Sequence, residues 1–282
     1  HLGQTGLDYL AELFNLSMST CQIPAIWKTS MIIPLLKPKK PADESTSYRP
    51  VSLLCPGIKV LERLVLPSLT EHLPVPDIQH GFRKNHSTVT ALHEFNQEVA
   101  DGFNKRKPAN RTILLQIDLS KAFDMVNHEK LFRDLQGTTL PDPLKRWFNC
   151  YLHGRKSRAN FRGTHSSSRN VRTGVPQGAV TSPILFNFYM DNLFDLLKVS
   201  GSGCVINYFY TDCFGYADDL FFLCPSRKGL QEMLGIAKKY VNNQSISFST
   251  SPDPSKSKTK GIIFSKRPLK YCPAPLISNG NP

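Results

Sequence analysis

The sequence lacks any apolar run long enough to cross a bilayer, and nothing near His1 reads as a signal peptide, which argues against membrane insertion and secretion. Its seven cysteines (Cys21, Cys55, Cys150, Cys204, Cys213, Cys224, Cys272) contain no CxxC pair. Neither a zinc site nor a disulfide framework is read from them, and a reducing, intracellular setting is expected. Internal repeats are absent, and so is an initiator methionine, so the chain is expected to be a piece of something longer. Acidic residues are the scarce class: 22 Asp and Glu face 35 Lys and Arg, a net charge of +13 over 282 residues. That surplus points to a polyanionic partner, with nucleic acid ahead of an acidic membrane. Between Asp142 and Asp191 there is no acidic residue, while Lys145, Arg146, Arg155, Lys156, Arg158, Arg162, Arg169 and Arg172 fall inside that interval, interleaved with Tyr151 and Phe161. Such a stretch suits contact with a phosphate backbone because no local carboxylate repels the polyanion; a solvated hairpin is the alternative.

What is present is 40% hydrophobic residue content, enough for a real core. Leu7, Leu10, Ala11 and Phe14 recur at helical spacing and predict an opening amphipathic helix. Met31-Ile32-Ile33-Pro34-Leu35-Leu36 reads as a strand, and Pro34 predicts an edge position because it cannot donate to a ladder. Lys37-Pro38-Lys39-Lys40-Pro41 is a solvated basic loop. A second helix runs through Ile58, Leu61, Val65 and Leu69, with Pro67 expected to kink it or end it early. A third runs from Ser87 through Leu92, Val99 and Phe103 into Lys105-Arg106-Lys107-Pro108. Thr112 to Ile117 is a near-continuous apolar run, as a central buried strand requires. Asp142-Pro143 reads as the N-cap and first residue of a helix carrying Leu144, Trp147, Phe148, Tyr151 and Leu152, closed by a left-handed Gly154. Ser182-Pro183 starts another through Leu185, Phe188, Tyr189 and Leu193. Leu230, Met233, Leu234, Ala237 and Val241 mark a last helix, Gly261 to Phe264 a closing strand, and the Pro-rich stretch after Ser265 a connector.

Three carboxylates carry chemistry. Asp118 interrupts the buried strand, and Asp218-Asp219 sit at the turn of an apolar hairpin, Phe214 to Leu223. Charge at the tip of an apolar hairpin needs compensation, and a divalent cation held by carboxylate and phosphate oxygens supplies it. Two such ions roughly 4 Å apart serve an in-line displacement at phosphorus. Asp218-Asp219 alone also reads as a solvated surface turn; an Asp ending a second buried strand weighs against that. Gly174-Val175-Pro176-Gln177-Gly178, just before the Ser182-Pro183 helix start, lets backbone come close to a base pair or nucleotide, although alone it reads equally as an ordinary turn.

These pieces resemble the reverse transcriptases of non-LTR (LINE-type) retrotransposons. Asp118-Leu-Ser-Lys-Ala-Phe-Asp124, Gly174-Val-Pro-Gln-Gly178 with Ser182-Pro183, and Tyr216-Ala-Asp-Asp219 are similar to the family's A, B and C motifs, in order. Upstream, Ser47-Tyr-Arg-Pro-Val-Ser-Leu-Leu54 and Gln79-His-Gly-Phe-Arg-Lys-Asn-His-Ser87 resemble its fingers motifs, and Lys256-Ser-Lys-Thr-Lys260 before Gly261 to Phe264 its D region. The resemblance spans about Ile23 to Phe264. It implies an α/β (α+β) right-hand polymerase fold, with an antiparallel palm sheet backed by helices and a thumb largely absent. Residues 1–110 would be fingers and 111–265 palm, with 136–173 assignable to the fingers side and 266–282 a connector.

The implied reaction adds dNTPs to a DNA primer 3′-hydroxyl on an RNA template with two Mg²⁺ ions, Mn²⁺ being an alternative. The resemblance implies metal binding by Asp118, Asp218, Asp219 and the Leu119 carbonyl. It makes Phe123 a sugar gate, Gln177 a contact to the incoming nucleotide and Arg49 a contact to its triphosphate. Lys258 would be the motif D acid, with Lys260 a rival. Arg155, Lys156, Arg158, Arg162 and Arg172 are the nucleic-acid candidates. Ala179, Thr181 and Met125 depart from the family, where a small polar residue, Leu and Thr are expected; none removes a ligand. An upstream endonuclease domain and a nuclear site of action, with a cytoplasmic ribonucleoprotein stage, are also implied. The alternatives are an inactive or domesticated RNA-binding relic, or another right-hand polymerase such as a group II intron maturase or a viral RNA polymerase.

Overall fold

A computed structural model describes residues 3–73, 75–104, 111–202, 204–206, 209–211, 213–249 and 258–265. In chain order the first elements are α1 (Gln4–Thr20), β1 (Thr29–Leu36), a 3-10 turn at Ser45–Ser47, β2 (Tyr48–Leu53), α2 (Pro56–His72) and α3 (Thr88–Asn104). Then come β3 (Thr112–Asp118), α4 (Ala122–Met125), α5 (His128–Gln136), α6 (Asp142–Leu152), β4 (Arg155–Phe161), β5 (Thr164–His165) and β6 (Arg169–Val171). The last are α7 (Ser182–Ser200), β7 (Cys204–Ile206), β8 (Phe209–Thr211), β9 (Cys213–Tyr216), β10 (Asp219–Cys224), α8 (Arg227–Asn243) and β11 (Lys260–Phe264). The expected continuation of α3 through Lys105 to Pro108, and the connector after Ser265, lie outside the described residues.

The chain packs as two compact units, His1–Pro74 with Phe123–Phe186, and Val75–Ala122 with Asn187–Pro282. Each joins two separated stretches of the chain. In the first unit the cause is β1, which pairs antiparallel with β2 and parallel with β4, a strand more than a hundred residues away.

In the first unit β1 lies between β2 and β4, which corrects the edge position expected from Pro34. The parallel ladder with β4 covers only Thr29 to Ile32, so Pro34 falls beyond its end and faces Pro50 of β2. A missing N–H therefore costs little there. Helix α2 runs past Pro67 to His72, where an early end or kink was expected. Leu69 and Leu73, beyond the proline, are fully buried, and that burial offsets the missing backbone bond. Helix α6 buries Leu144, Trp147, Phe148, Tyr151 and Leu152 as its spacing predicts. Trp147 stacks on Tyr151 at 5.1 Å and donates to Ser17 of α1 at 3.2 Å. Its cap is Pro141, not Asp142, which is the first helical residue and pairs instead with Lys145 at 3.3 Å. Gly154 takes φ +68° just after the helix.

The second unit is built on a four-stranded antiparallel sheet in the order β11-β3-β10-β9, with β3 interior as its apolar run predicts. Paired residues share a face. Leu115, Ile117, Leu220, Phe222, Cys213 and Cys224 share one face and are buried there, and α8 packs on β10 and β3 through its Leu230, Met233, Leu234, Ala237 and Val241 stripe. The other face is mixed: Leu114, Phe214, Phe221, Leu223 and Phe264 meet Phe95 of α3 at one end, and the other end is polar. No helix among the described residues is long and apolar enough to cross a membrane.

Candidate active site

The polar end of that sheet face gathers the carboxylates. In the register of β3 and β10, Asp118 stands directly opposite Asp219 and Gln116 opposite Phe221. Asp219 in turn pairs with Tyr216 of β9, so the two residues between them, Ala217 and Asp218, form the tight turn. Like charges directly across a ladder repel, so this pairing demands compensation. Part of it comes from Lys258, whose Nζ donates to both Asp118 carboxylate oxygens at 2.9 and 3.1 Å. Asp118 is 14% exposed at its side chain, whereas Lys258 is 61% exposed. Gln116 Nε2 donates to Asp219 Oδ1 at 3.5 Å. Burial raises the carboxyl pKa of Asp218 and of Asp219 above the usual range, each carboxylate reinforced in this by its acidic neighbours. The backbone around Asp118 is pinned: its carbonyl accepts from Ser249 N at 2.7 Å, Ser120 N donates to Ser247 O at 2.9 Å, and Leu119 N donates to Asp218 O at 3.4 Å.

Among the described residues no three His, Cys, Asp or Glu side chains converge into a ready-made metal cage. The donor set nevertheless fits a hard divalent cation. Mg²⁺ takes oxygen ligands, keeps several waters, and is held in such sites by one or two carboxylates plus substrate phosphates. Asp118 faces Asp219 across the ladder with Asp218 at the adjoining turn, so carboxylate donors of that kind are gathered at one end of the sheet face.

In the first unit the Gly174-to-Gly178 loop is tied down by the chain's own backbone. Ser52 N donates to Gln177 O at 2.7 Å, Val175 N to Phe123 O at 2.8 Å and Gly174 N to Val126 O at 2.7 Å. His128, buried, donates from Nε2 to Gly174 O at 2.7 Å. A Cβ on Gly174 (φ +89°) would lie 2.8 Å from Asp124 Cα, and one on Gly178 (φ +128°) 2.7 Å from Ser52 O. Both glycines are thus demanded by close approach to protein backbone, whereas the sequence reading is of approach to a base pair or nucleotide. Thr181, one of the departures from the family, donates its hydroxyl to the fully buried Glu62 at 2.8 Å. Glu62 also accepts from Tyr151 Oη at 3.0 Å and Val180 N at 3.1 Å. Phe123, half-buried, stacks on Phe186 with centroids 4.7 Å apart, and Gln177 is half-buried. Arg49 is exposed on β2, opposite Leu35.

The basic interval divides by burial. Lys156, Arg158, Arg162 and Arg172 are exposed, and Lys156, Arg169 and Arg172 line a cleft of about 460 Å³ with Ser168 and Asn170. Arg155 differs: it is 1% exposed, with its guanidinium 4.7 Å over the Tyr151 ring. Its place among the phosphate-tracking residues is therefore corrected, because strand alternation turns it inward while Lys156 turns out. Lys145 is likewise buried, holding the carbonyls of Thr138 at 2.9 Å and Gln136 at 3.3 Å. Gln116, the Ser247–Ser249 segment and Gln79, which reads only as the start of a fingers-like motif, receive no role from the sequence. Gln116 could have been found as the polar residue two positions before Asp118, hence on its face; the Ser247 segment has no such signal.

The chain matches the family described as reverse transcriptase (RNA-dependent DNA polymerase) over residues 37–270. It is 33% identical over 80% of its length to a probable RNA-directed DNA polymerase from transposon BS of Drosophila melanogaster, covering 25% of that protein. It is 35% identical over 68% of its length to the counterpart from transposon X-element of the same fly, covering 21% of it. With the RNA-directed DNA polymerase from mobile element jockey of Drosophila funebris it shares 28% identity over 98% of its length and 30% of the relative. The chain thus spans about a quarter of the length of the curated relatives it matches. In fold it resembles apo telomerase from Candida tropicalis, truncated from its C-terminal domain, with a TM-score of 0.58, 12% identity, and coverage of 92% of this chain and 55% of that one. With the family's A, B and C motifs in order on a right-hand polymerase fold, the chain belongs to the reverse transcriptase (RNA-dependent DNA polymerase) family, in its non-LTR retrotransposon branch.

Proposed function

We propose that this chain carries the polymerase centre of a non-LTR retrotransposon protein and adds dNTPs to a primer 3′-hydroxyl on an RNA template. The observation that carries the reading is the register: Asp118 faces Asp219 across β3 and β10, with Asp218 at the intervening turn and Lys258 on Asp118. Members of this family depend on divalent metal. When bound, two Mg²⁺ ions supply Lewis acidity that lowers the charge cost at the attacking and leaving oxygens. Asp118 and Asp218 would hold them, with the Leu119 carbonyl as a further donor and Asp219 in a supporting place. Lys258 brings an ammonium to the same carboxylates and is the proposed proton donor to the leaving pyrophosphate. Its contact with Asp118 favours it over Lys260, which is exposed on β11 opposite Gln116. Arg49 would grip the triphosphate, Gln177 the incoming nucleotide, and Phe123 the sugar. The palm reading attaches to residues 111–265, whose sheet carries the carboxylates, and the fingers reading to residues 1–110 with the 136–173 segment. A linked upstream endonuclease domain and a nuclear site of action complete the proposal.

Primer extension on an RNA template with dNTPs and Mg²⁺ tests it. Asp118→Ala or Asp218→Ala should abolish extension with template affinity nearly unchanged, and Asp219→Ala should be milder. An Asp218→Ala protein that extends at near wild-type rate would sink the assignment.

A further inference from the structure

Ala217, the residue before Asp218, has φ +58°, a left-handed conformation that a residue with a Cβ holds only when its surroundings over-determine it. Its surroundings come from a segment that the motif chemistry leaves unused. Ile78 to Gly81 lies along β9 as a short half-strand: Gly215 N donates to Ile78 O and His80 N to Gly215 O, both at 2.8 Å. The side chain of Gln79, 1% exposed, then reaches the turn. Its Oε1 accepts from Ala217 N at 3.0 Å and Gly81 N at 2.8 Å, and its Nε2 donates to Ala217 O at 3.4 Å. One amide side chain thus serves both backbone groups of the strained residue, in place of a neighbouring strand. The packing leaves no slack. A Cβ on Gly81 would run into the Ala217 backbone, and one on Gly215 would lie 2.8 Å from Gln79 Nε2 and 2.9 Å from Phe194 Cζ. On the far side Asn187, also buried, holds Gly81 O at 3.0 Å.

We propose that Gln79 is a positioning residue: it locks the Ala217–Asp218 turn, and so sets where the Asp218 carboxylate stands relative to Asp118. The consequence for catalysis rests on the polymerase reading; the mechanical lock does not. Both backbone groups of Ala217 lose their partner in Gln79→Met, which keeps volume but has no amide. In hydrogen-exchange mass spectrometry on the whole chain, amides of residues 213–220 should exchange about tenfold faster or more, while those of α8 keep their protection. Mn²⁺ uptake, followed by water-proton relaxation, should weaken severalfold. Extension should lose kcat by about tenfold or more, with KM for primer and template nearly constant. Wild-type exchange at the turn, or equal loss of protection in α8, overturns the proposal, the second because Gln79 would then be a general support of the fold. If Gln79→Met does not fold, Asn187→Leu, which removes only the bond to Gly81 O, replaces it. A severalfold faster exchange confined to the turn then supports the lock, and an unchanged turn overturns it. Should the wild-type chain itself not extend a primer, the polymerase reading fails while the exchange result still decides the lock.

Discussion

Two carboxylates held face to face across a ladder are costly unless charge is supplied, and Asp118 and Asp219 are held so by strand register. Register is set by the apolar side chains on the buried face, so the acid cluster is positioned by residues with no chemistry of their own. Phe123 poses the opposite problem, since one ring can pack and gate at once. Its stack on Phe186 makes some loss of stability certain on truncation, on the order of 1 kcal/mol. If it also gates, Phe123→Val should leave dNTP incorporation within about tenfold, a ~1.4 kcal/mol change in barrier, while NTP use rises far more. Steady-state incorporation of matched dNTP and NTP checks this, and a ratio that stays constant leaves packing as the whole role.

Among the elements, α7 links two demands: its buried stripe of Leu185, Tyr189, Met190 and Leu193 anchors it, while Asp191 sits half-buried among them. Burial, aided by Asp195 one turn on, pushes the Asp191 carboxyl up to about 6. A carboxyl raised in the folded state contributes its full stability below the unfolded value near 3.9, and that contribution is lost as pH rises through about 6. At pH 7 and above α7 therefore carries the cost of a desolvated charge, on the order of 1 kcal/mol after allowance for its half exposure. Asp191→Asn should raise Tm at pH 8 and change it little at pH 4. Calorimetry across that range checks it, and a Tm difference that does not vary with pH would refute the assignment. Helix α2 makes a related point about context. Pro67 is a helix breaker by local rules, yet the apolar stripe continuing to Leu69 keeps the helix going to His72.

Over the whole molecule the surplus of +13 is the feature that faces a partner. If Lys156, Arg158 and Arg172 track phosphates, binding of a primer–template should weaken steeply with salt. Replacing all three by Ala should then flatten the log–log slope by roughly 0.7 to 0.9 for each phosphate no longer neutralised. Arg155→Ala should behave differently: the slope stays as it is, and stability falls by on the order of 2 kcal/mol because a buried side chain stacked on Tyr151 is removed. Filter binding over a salt series and thermal unfolding of the two variants separate the cases. A triple variant with the wild-type slope would make Lys156, Arg158 and Arg172 a solvated face.

Much of this protein is determined by sequence alone. The apolar periods locate α6, α7, α8 and β3 closely, because each buries a whole stripe whose spacing local geometry dictates. The three carboxylates are legible as a set, because an Asp ending one buried strand together with an Asp pair at the turn of an apolar hairpin has few cheap explanations, whereas the two glycines alone read equally as an ordinary turn. Only the tertiary structure decided that β1 is interior, since the pairing of β1 with β4 joins segments more than a hundred residues apart. It alone turned Arg155 inward, gave Thr181 a buried carboxylate partner, and brought Gln79 to Ala217. Those outcomes depend on which distant backbone groups lack a partner once the chain has folded, and the order of residues along the chain carries no local record of that.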